Sequence, residues 1–126
     1  MRMKTILGFL ILLSAAANIA TVFADDSAVT TMATIVMNLN HYPSDDDKLK
    51  LEQIANAADA DESDKVIASA IMNIKHQPSA SDKQKLTEVS KDTSSSESIR
   101  VLAGIVSRIN HKASAADNQK LRELMQ

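Results

Sequence analysis

The twelve residues NHYPSDDDKLKL at 40–51 return in altered form as KHQPSASDKQKL at 75–86 and as NHKASAADNQKL at 110–121. Each copy carries a histidine, an apolar or proline residue near it, and then a serine followed three positions later by an aspartate. A motif written three times at one spacing is typical of a repeat protein, in which each copy is one unit of supersecondary structure.

The match extends well beyond this motif, because 27–56, 62–91 and 97–126 align without gaps. Apolar columns keep their character in all copies, and several columns are invariant. The invariant columns are Ala33/Ala68/Ala103, His41/His76/His111, Ser44/Ser79/Ser114, Asp47/Asp82/Asp117, Lys50/Lys85/Lys120 and Leu51/Leu86/Leu121. We therefore expect three copies of the same structural unit.

Each copy contains two helical patterns, which we name A and B. The first half of a copy has apolar residues at i, i+3, i+4 and i+7, as at Met32, Ile35, Val36 and Leu39, and this spacing marks one face of a helix. The second half has a shorter apolar face, as at Leu51 and Ile54. The predicted A helices cover 27–40, 62–75 and 97–110, and the predicted B helices cover 45–58, 80–92 and 115–125.

The quoted motif ends helix A and starts helix B. A proline, present in the first two copies, cannot continue helix A. The serine and the aspartate three residues later form an S-x-x-D capping box, in which the serine oxygen accepts a backbone N–H of the first turn. The A helices are expected to begin after Asp26, Asp61 and Ser96.

These elements predict an all-α fold of six helices in three tandem 35-residue hairpins, arranged as a short right-handed superhelix or solenoid. Repeat length and helix–turn–helix order resemble those of tetratricopeptide and pentatricopeptide repeats. The tetratricopeptide motif itself is absent, since its large aromatic, Leu-Gly, Tyr and Phe positions are not matched and the proline lies between A and B. The resemblance implies shape only, and no functional residue is carried over from it.

Residues 1–24 have the layout of a secretory signal peptide. Arg2 and Lys4 precede an apolar run at 6–13, and Val22 and Ala24 occupy the positions that a signal peptidase reads. We expect cleavage after Ala24, export to the periplasm or the medium, and a mature single domain at 25–126 without a transmembrane segment.

Composition limits the functions open to this domain. Removing Arg2 and Lys4 from the 14 basic residues, against 16 acidic ones, leaves a net charge of −4, which disfavours nucleic-acid binding. There are no cysteines, so stability must come from packing rather than disulfides. Only two glycines are present, which leaves few tight loops for an active site, and we expect no enzymatic activity and no cofactor.

The repeated polar residues are the candidate binding residues. Equivalent residues of stacked helices lie about 8–10 Å apart, so we expect the histidines to form a row that closes the turns and to hold no metal. A row of imidazoles and ammonium groups beside helix N-termini could alternatively receive an anion. The candidate ligand-binding residues are His41, His76, His111, Lys48, Lys83, Lys50, Lys85 and Lys120.

Three hypotheses for function follow. The first is an exported, non-enzymatic binding module whose helical surface contacts another protein. The second is recognition of an anionic ligand, such as a phosphoinositide or another lipid head group, by the His/Lys row. The third is a small periplasmic stress or chaperone-like protein.

Because no further copy follows the third one in the sequence, we also expect that self-association can occur through the last hairpin.

Overall fold

The computed structural model describes residues 27–126, and within this range the fold is all-α with no strand, as the repeat pattern predicts. The predicted signal peptide lies outside the described residues. Among the described helices, none is long and apolar enough to cross a bilayer. The six helices are α1 (27–38), α2 (Asp45–Asn56), α3 (Glu62–Met72), α4 (Ala80–Lys91), α5 (Glu97–Ser107) and α6 (Ala115–Leu124).

The B helices α2, α4 and α6 begin as the capping motif predicts. Ser44, Ser79 and Ser114 adopt extended backbone conformations, and the hydroxyl oxygen of each accepts the backbone N–H three residues later at 3.1 Å. Among the A helices, α5 has the same cap, with Ser96 accepting from the N–H of Ile99, whereas the side chain of Asp61 makes no capping bond to α3.

The A helices α1, α3 and α5 end two to three residues earlier than predicted. The reason is the backbone of the histidines, which have positive φ angles of 71° at His41, 69° at His76 and 71° at His111. The residue before each histidine is bridged to the residue after it, so the last predicted residue of each A helix is already part of this turn. Histidine is one of the few residues besides glycine that is enriched at positive φ.

The core lies on the predicted apolar faces. Met32, Ile67 and Leu102, which are equivalent residues of the three A helices, are all fully buried. The B helices contribute one fully buried column, formed by Leu51, Leu86 and Leu121. The small residues Ala33, Ala68 and Ala103 are also fully buried, which is typical of positions where helices approach closely.

The hairpins pack so that each B helix contacts the next A helix in the chain. Helix α2 packs on α3, and α4 packs on α5, while α3 and α5 also contact each other. The last hairpin also contacts the first one. The Thr34 hydroxyl of α1 donates a hydrogen bond to the sulfur of Met125, just after α6, at 3.1 Å. The first and last copies are therefore neighbours. The direction in which the hairpins wind stays a prediction.

Candidate functional site

The strongest candidate site is the point where the three positive-φ histidines meet, which we name the histidine joint (His41, His76 and His111). Its framework is a closed ring of backbone hydrogen bonds. The N–H of His41 donates to the carbonyl of His111 at 2.7 Å, that of His76 to His41 at 2.7 Å, and that of His111 to His76 at 2.5 Å. Each copy therefore donates one bond and accepts one, and the ring has approximate threefold symmetry.

Local turns present the histidines to this ring. In the first copy the N–H of Tyr42 also donates to the carbonyl of Asn40 at 2.9 Å, which makes a tight three-residue turn around His41. An isolated bridge flanks the histidine in every copy, between the residues just before and just after it. The backbone thus fixes the position and direction of each Cα–Cβ bond at the joint.

The three imidazoles converge above the backbone ring. Their ring centroids lie 5.0 Å apart for His41 and His76, 4.9 Å for His41 and His111, and 4.8 Å for His76 and His111. The Nδ1 atoms of His41 and His76 are 3.1 Å apart, so one of these rings donates its proton and the other accepts it. His41 is partly buried, whereas His76 and His111 are exposed.

The expectation that the histidines form a row of separated side chains is wrong. One nitrogen of each imidazole can be chosen so that all three lie within 4.8 Å of one another. The separation of about 8–10 Å applies to helix axes that lie side by side. The histidines instead lie close to the axis around which the three hairpins are arranged, where equivalent residues approach one another. The imidazoles of His41 and His76 bond to each other, and that of His111 lies against both.

The structure does not bring the candidate lysines together with the joint. Lys50 lines a cavity of about 400 Å³ beside Ser27 and Asp59, near the start of α1. Lys120 lines a larger cavity of about 1120 Å³, bordered by residues at the starts of α1, α3 and α5. Both lysines are the sixth residue of their B helix, so they lie about 8 Å along the helix axis from its first residue.

The other candidate lysines also lie on B helices. Lys48 and Lys83 lie in the first turn of α2 and α4, and Lys83 donates to the side-chain oxygen of Gln77 at 3.0 Å. Lys85 is exposed on α4. A ligand-binding role for the lysines stays a prediction.

An ion pair beside the joint was not expected from the sequence. Arg108 binds Asp117 through both ends of its guanidinium, with Nε at 3.0 Å from Oδ2 and Nη2 at 2.7 Å from Oδ1. These hydrogen bonds lower the pKa of Asp117 and raise that of Arg108. The sequence did contain a signal, because Asn38 and Asn73 occupy the same column as Arg108 in the other copies.

No known family model matches the chain, and no curated protein or solved structure shows a significant match to it.

Proposed function

We propose that the protein is an exported, non-enzymatic binding module that contacts another protein through the end of the molecule that carries the histidine joint. The observation that carries this proposal is a departure from the threefold repeat. Of the large apolar side chains in the described residues, Tyr42 and Leu49 are the exposed ones, at 63% and 60% of their surface.

Both exposed side chains belong to the first copy and lie near the joint in the chain. Tyr42 directly follows His41, and Leu49 lies little more than one turn into α2. The equivalent residues in the other copies are polar, namely Gln77 and Lys112 for Tyr42, and Gln84 and Gln119 for Leu49. The fold therefore does not need an apolar residue at either position. Contiguous exposed apolar surface marks contact sites between proteins, and tyrosine is enriched at such sites.

The absence of enzymatic activity is part of the proposal and is supported by how the hydroxyl groups are used. Ser44, Ser79 and Ser114 are the repeated serines nearest the histidines, and each holds a backbone N–H of a B helix. A serine nucleophile would instead need a hydrogen bond to a base.

The test uses substitutions that the fold already contains elsewhere. Tyr42→Gln and Leu49→Gln place in the first copy the residues found at 77 and 84, so both variants should fold as the unaltered protein does. We expect a partner captured by the exported protein to be lost from the double variant. The matched control is Thr93→Ala, which copies Ala58, follows the end of α4 away from the joint and should retain the partner.

A partner that binds the double variant as tightly as the unaltered protein would contradict the proposal. Binding that is lost equally from the Thr93→Ala control would also contradict it, because Thr93 lies away from the joint end of the molecule.

A further inference from the structure

We propose that the histidine joint is a binding site for a divalent transition-metal ion, with one nitrogen from each of His41, His76 and His111 as ligands. Zn²⁺, Cu²⁺ and Ni²⁺ are the ions that imidazole ligands suit best. This proposal is independent of the proposed protein contact.

The first support is the distance between the donor atoms. Nitrogen ligands bind Zn²⁺ at about 2.0–2.1 Å, which places two nitrogens of one tetrahedral or trigonal site about 3.3–3.6 Å apart. The Nδ1 atoms of His41 and His76 are already 3.1 Å apart, and all three donor nitrogens fit within 4.8 Å. Small side-chain rotations that bring the three nitrogens from within 4.8 Å to about 3.3–3.6 Å of one another would complete a three-nitrogen site.

The second support is that the backbone conformation of the joint does not explain why histidine, of all residue types, stands at these three positions. The ring of hydrogen bonds uses only main-chain N–H and C=O groups, and a positive φ is satisfied at least as well by glycine or asparagine. The polar bond that the described structure gives to these imidazoles is the one between His41 and His76. A turn residue alone would not need three imidazoles directed at one point.

The third support is preorganisation combined with access. The backbone ring holds the three Cα–Cβ bonds in place before any ion arrives, so binding orders only the side-chain torsions. His76 and His111 are exposed, so a hydrated ion can reach the site from solvent and keep water at its remaining position.

The test is titration of the untagged exported protein with Zn²⁺ in a calorimeter, together with Co²⁺ as a spectroscopic probe. We expect one ion per chain and a visible Co²⁺ absorption band of a four-coordinate site. Each single change His41→Asn, His76→Asn or His111→Asn should weaken Zn²⁺ binding by at least about tenfold, since even loss of a group that only orients a metal ligand costs 10–100-fold. Asparagine tolerates a positive φ, so these variants keep the turn.

The matched control is Lys75→Asn, which gives the second copy the residue that precedes the histidine in the other two. Its Zn²⁺ affinity should stay within about twofold of the unaltered protein. A second measurement needs no variant: the imidazole nitrogen resonances of all three histidines should shift on addition of one equivalent of Zn²⁺.

Three results would overturn the proposal. The first is no binding at millimolar Zn²⁺. The second is one ion per chain that leaves the imidazole resonances unmoved. The third is one ion for every two chains, which would show a site between molecules rather than within the joint.

Discussion

The amide N–H of His41 donates to the carbonyl oxygen of His111, 70 positions later in the chain, at 2.7 Å. This bond joins the first copy directly to the last one. Together with the other two bonds of the joint, it places three equivalent residues around one axis. Each histidine of the ring adopts a positive φ, so we expect the backbone conformation of these residues to be needed for closing the ring.

The first prediction concerns this conformation. His76→Asn should change the free energy of unfolding by less than about 0.5 kcal/mol, whereas His76→Val should lower it by about 1–2 kcal/mol, because a β-branched side chain is strained at positive φ. Urea denaturation of both variants measures the difference. The control is Gln77→Val, one residue later and exposed, where the φ angle is not positive and a small effect is expected. Equal stability of His76→Val and His76→Asn would show that the φ angle carries no cost.

Much of the fold was readable from the sequence because its signals are local. The serine caps and the apolar spacing act within one helix, and the gapless alignment shows that each copy repeats them. The convergence of the histidines is not local. It depends on the rotation between successive hairpins, which many packed side chains set together, and equivalent residues meet only when they lie near the axis of that rotation. The ion pair of Arg108 was not predicted for a different reason. It occurs in one copy only, so the repeated columns of the sequence do not indicate it.

The second prediction concerns that ion pair. Arg108→Asn gives the third copy the residue of the other two, but leaves the carboxylate of Asp117, which is 7% exposed, without its partner. We expect the free energy of unfolding to fall by about 1–2 kcal/mol, a modest value because the Arg108 side chain is half exposed and solvent screens the pair. Thermal and urea unfolding at neutral pH provide the measurement, with Arg122→Thr at an exposed position of α6 as the control.

The same pair predicts a dependence on pH. Arg108 holds the pKa of Asp117 below its ordinary value of 3.8, so the folded state binds this proton more weakly than the unfolded state does. The stabilisation is therefore complete above about pH 5 and is lost as pH falls below 3.8 through the folded pKa. The stability difference between the unaltered protein and Arg108→Asn should be constant from about pH 5 to 7 and shrink toward pH 2–3. A difference that grows as the pH falls would contradict this assignment.

The third prediction concerns the serine caps. Ser79→Ala removes the acceptor of the Asp82 N–H at the start of α4 and should destabilise the fold by about 1 kcal/mol. Ser81→Ala is the control, because Ser81 is an exposed residue inside the first turn of the same helix and alanine has the higher helix propensity there. Chemical denaturation of the two variants should shift the midpoint in opposite directions or leave the control unchanged. A loss of equal size in both would show that the cap contributes nothing specific.

The fourth prediction concerns Gly104, in the interior of α5. A Cβ atom built at this position would meet the Nη1 atom of Arg108 at 3.4 Å, which is the far end of a flexible side chain. Asp117 is bound by Nε and Nη2, so a small movement of Nη1 need not break the ion pair. Gly104→Ala should therefore raise the free energy of unfolding by about 0.5–1 kcal/mol through helix propensity. A different result would be that Gly104→Ala is less stable than the unaltered protein, while the double variant Gly104→Ala/Arg108→Asn is no less stable than Arg108→Asn alone. The contact with Arg108 would then outweigh the gain in helix propensity.

The last prediction concerns the column of small residues in the A helices. Ala68 is fully buried, as are its equivalents in the other two copies, so the helices around it leave no room for a longer side chain. Ala68→Leu should lower the free energy of unfolding by about 1–3 kcal/mol, since overpacking a core forces side chains out of their preferred rotamers. The control is Ala80→Leu at the exposed start of α4, where the added side-chain atoms extend into solvent. Its free energy of unfolding should stay within about 0.5 kcal/mol of that of the unaltered protein. Urea denaturation of the two variants decides between these expectations, and an Ala68→Leu variant as stable as the unaltered protein would mean that the A helices can separate at this column without cost.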